Sequence, residues 1–282
     1  MAQSVIRILT IDLEDWFHGL EPEPTRWCSL ERRLNESCNR LLDLLDEYAA
    51  RATFFVLGDV ARNHPRLISQ ISQRGHETGS HGMEHRFVAK QGPENFREDL
   101  HSSIELIQDL TGKPVNCYRA PYFSISKDSL WALDIIADEG IRIDSSIFPV
   151  RNPRYGWPGF SRVPVEVLPG LWEWPVSTLA TPLGNFPFAG GVYFRFLPWK
   201  IVERAVLSLD VHGEPLIFYI HPWEIDNSQP KYCSDSSFLD FRHYYGIGKT
   251  EGKLKRLLAL GSFQPLEASA ASWQAEISAN GL

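Results

Sequence analysis

Five short strand-like runs in this chain each end on a charged or titratable residue. They are "ILTID" closed by Asp12, "ETGSH" by His81, "NCYR" by Arg119, "IRID" by Asp144 and "LIFYIH" by His221. Segments of helical period separate them, and this alternation predicts an α/β fold built on a parallel sheet or barrel. In such folds the C-terminal strand ends share one rim, and active sites sit there. Singly, each residue has a plain reading: Asp144 before Ser145 suits a turn, Arg119 a surface charge, and His221 before Pro222 a strand end. Packing alone gives five strands little reason to deliver such groups to one rim.

The spacing predicts helices over 34–48, 59–75, 96–110, 127–140, 198–213 and 250–260, and a further strand at "ATFFVLG". The middle breaks the pattern. Nine of the 19 prolines fall between Pro149 and Pro198, together with Trp157, Trp172, Trp174 and Trp199. Proline and glycine at this density punctuate loops and short edge strands, so the stretch is expected to be a substrate wall, a lid or a surface connection. Residues 1–265 are expected to form a single catalytic domain carrying this insert, and 266–282 a weakly ordered tail.

The chain has 282 residues, 43% hydrophobic, with a net charge of −7. No basic footprint points to nucleic acid. No apolar run reaches the roughly 18–20 residues needed to span a bilayer. The first residues lack the pattern of a secretory signal, so a cytoplasmic location is expected. Cys28, Cys38, Cys117 and Cys233 are scattered, which suggests reduced thiols rather than a zinc or redox motif.

"SHGMEHRF" places His81 and His85 four residues apart. On a single helical turn their Cβ atoms would lie roughly 5–6 Å apart, and two imidazoles there suit one cation at about 2.0–2.1 Å each. A third ligand should be a carboxylate, and Asp12, Glu14 and Asp15 are on offer. On an extended strand Asp12 and Glu14 point the same way, so one could bind metal while the other serves as base. Asp15 is the second choice as ligand, and a cap on the following turn is its plain alternative.

Together "LTIDLED", "SHGMEH", "YRAPYF", "IDSS" and "FYIHPWE" resemble the five ordered motifs of the NodB-homology polysaccharide deacetylases, carbohydrate esterase family 4. The resemblance runs from about Ile8 to Glu224. It implies an irregular (β/α) barrel and one divalent metal ion, Zn²⁺ first, held by Glu14 (or Asp15), His81 and His85. It further implies Asp12 as general base, Arg119 as the residue orienting it, His221 as general acid and the Tyr122 backbone N–H as an oxyanion donor. Asp144 would hold or tune His221. Most of the family has adjacent aspartates; here Leu13 separates Asp12 from Glu14, closer to the branch with intracellular-type peptidoglycan deacetylase homologues and allantoinase-like enzymes.

The activity this implies is removal of an N-acetyl group from an amino sugar in a polysaccharide or its biosynthetic precursor, nucleotide- or lipid-linked. Trp174, Tyr193, Arg195 and Trp223 are the candidates for sugar contact, since flat amphipathic faces suit sugar rings. The partner expected is an N-acetylated sugar or glycan, without nucleic acid or a membrane span; the oligomeric state is open. The alternatives are a cyclic imide or ureide amidohydrolase, an Fe(II) oxygenase using two histidines and a carboxylate, and a catalytically silent glycan-binding module.

Overall fold

The computed structural model describes residues 5–280 apart from positions 153 and 235. Ten strands occur among them: β1 (Arg7–Leu13), β2 (Thr53–Val56), β3 (Glu77–Ser80), β4 (Cys117–Tyr118), β5 (Ile143–Asp144), β6 (Val165–Leu168), β7 (Leu171–Glu173), β8 (Thr178–Thr181), β9 (Gly184–Pro187) and β10 (Leu216–Ile220). Eight form one curled, half-barrel sheet in the order β10-β1-β2-β3-β4-β5-β7-β6, parallel except where β6 returns antiparallel along β7. β10 reads LIFYI and is buried throughout, as a parallel strand covered on both faces should be.

Alternation along β1 sorts its two faces. Leu9, Ile11 and Leu13 join the large core beneath the helices. Ile8, Thr10 and Asp12 face the inside of the curl, where Ile8 packs with Phe55, Cys117, Ile143, Trp174 and Ile217. The inner column is thus apolar at its lower end and polar at its upper end. The register aligns those upper ends: Ile11 pairs with Ile220, Val56 with Ser80, Ser80 with Tyr118, and Tyr118 with Asp144. Glu14, His81, Arg119, Ser145 and His221 follow these positions at one rim.

Three sequence expectations change. The helix read over 59–75 is two helices, Gly58–Asn63 and Pro65–Gln73. Pro65 forces His64 out of helical geometry, to φ −132° and ψ 50°, and then opens the second helix as its first residue. The proline-rich stretch supplies β7 to the main sheet as well as the β8–β9 hairpin, so part of it is core. The segment read as a weakly ordered tail forms a helix, Leu266–Asn280, followed only by two residues outside the described ones. Leu266 and Ala270 are buried in the interior cluster, and the backbone N–H groups of Leu266 and Glu267 donate to Thr53 Oγ1 (2.8 Å) and Glu77 Oε2 (3.0 Å). This helix covers the lower end of the half-barrel.

Candidate active site

Glu14 comes to the rim through a tight reversal after β1, in which its backbone N–H donates to the Asp12 carbonyl at 2.9 Å. Its Oε1 lies 3.0 Å from His81 Nε2 and 2.9 Å from His85 Nε2. The two histidines converge by a route other than the helical turn expected from their spacing. Residues 81–87 form an irregular loop in which Gly82 (φ 71°) and His85 (φ 51°) are left-handed. The loop is pinned where Gly58 N–H donates to the Gly82 carbonyl (2.8 Å) and Met83 N–H to Asp99 Oδ2 (2.9 Å). A Cβ at position 82 would stand 2.6 Å from that Asp99 oxygen, so glycine is required there.

The chemistry of this trio suits a cation. His81 Nδ1 lies 2.7 Å from the Arg119 carbonyl, an acceptor only, so that nitrogen carries the proton. Its Nε2 then faces Glu14, an arrangement in which a cation between them would meet both. Burial pushes the Glu14 carboxyl up, but the charges of His85 and His221 and the close approach of the His81 and His85 rings hold it well below its ordinary range. Glu14, His81 and His85 form one possible metal-binding group; Asp12, Glu14 and His221 form an adjoining one.

Asp12 is fixed by Arg119, whose side chain is fully buried. Arg119 Nη1 donates to Asp12 Oδ1 and to Thr10 Oγ1, both at 2.7 Å, while Nε and Nη2 donate to the carbonyl (3.0 Å) and hydroxyl (2.8 Å) of Ser145. The other Asp12 oxygen, Oδ2, faces His221 Nε2 at 3.9 Å, the same distance that separates Glu14 Oε1 from that nitrogen. Behind His221 stands Glu224, whose Oε1 lies 2.7 Å from His221 Nδ1 and accepts the His221 backbone N–H at 3.0 Å. Burial lowers the His221 pKa, but the charges of Glu14, Glu224 and Asp12 and the bond to Glu224 outweigh it and raise it to about 9.

Several expected residues lie elsewhere. Asp15 turns away from the histidines: its Oδ2 accepts the backbone N–H groups of Arg33 (2.9 Å) and Leu34 (3.2 Å) at the start of the helix Leu34–Glu47. Asp144 does not reach His221. It is fully buried, bonds the Ser146 hydroxyl, and shares its surroundings with the carboxyl of Glu173. The place beside His221 expected for it is taken by Glu224, three residues after His221, which sequence reasoning missed although "HPWE" has the spacing of a capping box. Trp174 is fully buried in the interior cluster, 6.2 Å from the Trp273 ring, away from the cleft. Tyr193 stands one layer back, its hydroxyl 2.9 Å from that of Tyr155.

Arg195 and Trp223 do line the cleft above the histidines. Trp223 stacks with both His221 and His243, and Arg195 is ion-paired with Glu224 at 3.3 Å. Tyr122 (φ 59°) presents its ring 4.3 Å from His85 and stacks on Phe87. Phe87, Arg154, Tyr155 and Arg242 complete this wall, and none of them was singled out from sequence.

Residues 22–139 match the polysaccharide deacetylase family model, which takes in His81, His85 and Arg119. Over that segment the chain is similar to the polysaccharide deacetylase family. Residues 145–271 match a domain of unknown function, DUF3473, so His221 and Glu224 come from a segment that carries no assigned activity. The fold joins the two on either side of Asp12 and Glu14.

Similar proteins include a peptidoglycan-N-acetylglucosamine deacetylase of Bacillus cereus, 27% identical over 38% of this chain and 43% of the relative. A peptidoglycan deacetylase of Helicobacter pylori is 32% identical over 38% and 36%, and a chitooligosaccharide deacetylase of a Bradyrhizobium strain is 26% identical over 46% and 58%. The matches therefore span less than two thirds of each relative's length. Among solved structures, a candidate polysaccharide deacetylase from Mycobacterium smegmatis covers 100% of this chain and 93% of its own at TM-score 0.67 and 18% identity. The peptidoglycan deacetylase PdaC of Bacillus subtilis covers 99% and 96% at TM-score 0.53 and 14% identity. At these identities the likeness is one of fold. No described helix is long and apolar enough to cross a membrane.

Proposed function

We propose that this chain is a metal-dependent N-deacetylase acting on an N-acetylated amino sugar within a glycan or its biosynthetic precursor. The observation that carries the reading is the facing of Asp12 Oδ2 and His221 Nε2 at 3.9 Å beside a carboxylate–imidazole–imidazole cluster. A base, an acid and a cation site thus meet at one point. The names of the relatives, which act on peptidoglycan or chitooligosaccharides, favour N-acetylglucosamine units as substrate.

Glu14, His81 and His85 would hold the metal, Zn²⁺ being the ion such a donor set suits. When bound, it would polarise the acyl oxygen and increase the acidity of water. Asp12, oriented by its charge-assisted bond to Arg119, takes a proton from water as the hydroxyl adds to the acetyl carbon. The backbone N–H of Tyr122 serves as an oxyanion donor. As the carbon–nitrogen bond breaks, His221 passes its Nε2 proton to the departing amine, and Glu224 steadies the resulting ring. Acetate and a free amino sugar leave. Arg195 and Trp223 shape the sugar subsite, with Tyr193 holding Tyr155 behind it.

A cytoplasmic site of action, within polysaccharide biosynthesis, fits the free thiols of Cys28, Cys38, Cys117 and Cys233. The test is acetate release from chitooligosaccharides and from glycan precursors by protein stripped of metal and then reloaded. Release that depends on metal and falls about 10²–10⁴-fold in Asp12→Asn supports the proposal. Glycan binding without acetate release from any substrate would make the chain a silent binding module.

A further inference from the structure

The cleft changes sign from floor to wall. Its floor holds the carboxylates of Asp12 and Glu14, whereas the wall above carries three guanidinium groups, those of Arg154, Arg195 and Arg242, and no carboxylate. Arg195 is committed, buried against Glu224. Arg154 is exposed and Arg242 half-buried, and neither forms an ion pair among the described residues. The chain has 35 acidic residues against 28 lysines and arginines, so two uncompensated arginines on one wall run against its overall charge.

Their placement relates them to the reaction centre. Arg154 lies 5.9 Å from the Tyr122 ring centroid, and that ring is 4.3 Å from His85. Arg242 sits on the helix Ser237–Tyr244, where its backbone carbonyl accepts Arg195 Nη2 at 3.0 Å. Burial pushes the Tyr155 hydroxyl up while the charges of Arg242 and Arg154 oppose it, so both stand near that one side chain. A guanidinium offers a planar fork of donors that fits the oxygens of a carboxylate or phosphate, and here no carboxylate among the described residues occupies it.

We propose that Arg154 and Arg242 bind an anionic group carried by the substrate, so that the cleft selects anionic N-acetyl sugars over neutral ones. The proposal rests on the deacetylase reading for the reaction, though not for the binding itself. Two sources share this chemistry: a diphosphate linking the sugar to a carrier, and the carboxylate of a neighbouring acidic sugar.

The experiment compares kcat/KM for acetate release from triacetylchitotriose, UDP-N-acetylglucosamine and an N-acetylglucosamine–glucuronic acid disaccharide. At least one anionic substrate should exceed the neutral one by about 10-fold or more in the wild type, and R154Q/R242Q should remove most of that ratio, as loss of charge-assisted hydrogen bonds requires. The preference should also shrink in 0.5 M salt. The substrate showing the larger loss identifies phosphate or carboxylate. R154Q alone, at an exposed position, should show part of the effect in a protein that folds normally. A wild type without preference, or equal losses on neutral and anionic substrates, overturns the proposal. If no substrate releases acetate, tryptophan-fluorescence titration with the two anionic compounds decides. Binding weakened about 10-fold or more in the double variant keeps the anion site and removes the deacetylase reading. Unchanged binding removes the anion site.

Discussion

Glu224 grips His221 twice, through Nδ1 of the ring at 2.7 Å and the backbone N–H at 3.0 Å, with one carboxylate oxygen. The ring is thereby set with Nε2 toward Asp12 and Glu14. The second Glu224 oxygen faces Arg195 at 3.3 Å, and both side chains are nearly sealed from solvent. Removing one charge of such a pair leaves the other buried without compensation.

Glu224→Gln is therefore expected to cost about 3 kcal/mol of stability. Combining it with Arg195→Met should recover part of that loss, because no lone charge remains inside. Urea unfolding of both variants measures this. A single variant within 0.5 kcal/mol of wild type would show that the pair does not hold the His221 segment, about the scatter of an ordinary surface change.

The two neighbouring carboxylates should separate by function. Glu14→Gln is expected to abolish tight Zn²⁺ binding, since its oxygen is the one between the two histidines. Asp15→Ala should keep the metal and lower stability by about 1–2 kcal/mol, the cost of a lost helix cap. Metal content by mass spectrometry and thermal unfolding read the two outcomes; metal lost from the Asp15 variant, and kept by the Glu14 variant, would exchange the assignments.

The succession of strands along the chain and their shared rim were legible because alternation and apolar runs have local causes: Ile8, Thr10 and Asp12 had to share a face once β1 was extended. Asp12 and Arg119, 107 positions apart, could be joined only through the ordered motifs. What sequence could not convey was direction. Trp174 and Trp223 look alike as aromatic residues in loop-rich stretches, yet one packs inside the half-barrel and the other lines the cleft. Asp144 had a plausible position and Glu224 a plausible spacing; which of them met His221 depended on the turn Pro222–Ile225. His81 and His85 met as expected, through left-handed backbone that the residue types gave little reason to foresee.

Asp99 makes the loop between the histidines sensitive to pH. Burial pushes its carboxyl up to about 6, against the opposing bond from Met83 N–H. The folded pKa is raised, so the protonated acid is favoured by folding. That contribution is complete below the ordinary carboxylate range and is lost as pH rises through about 6. Asp99→Asn retains an acceptor for Met83 and removes the titration. Between pH 4.5 and 7 the wild type should lose up to about 2 kcal/mol relative to this variant. Parallel stability–pH curves from urea unfolding would sink the prediction.

The C-terminal helix is expected to be structural. Leu266 has no solvent exposure and packs with Ile8, Phe55 and Trp174 where the half-barrel would otherwise open downward. Truncating it leaves a cavity among side chains that belong to different strands and cannot collapse independently, so Leu266→Ala should cost about 2–4 kcal/mol. The exposed Ser272, on the same helix, donates to the Ala268 carbonyl at 3.2 Å and touches no strand by that bond. Ser272→Ala should stay within about 0.5 kcal/mol of wild type. Glu14, His81, His85 and Asp12 stand at the opposite end of the strands, so Leu266→Ala should lower the unfolding midpoint while metal content per folded molecule stays constant. A cost below 0.5 kcal/mol for Leu266→Ala would return these residues to the status of a loosely held tail.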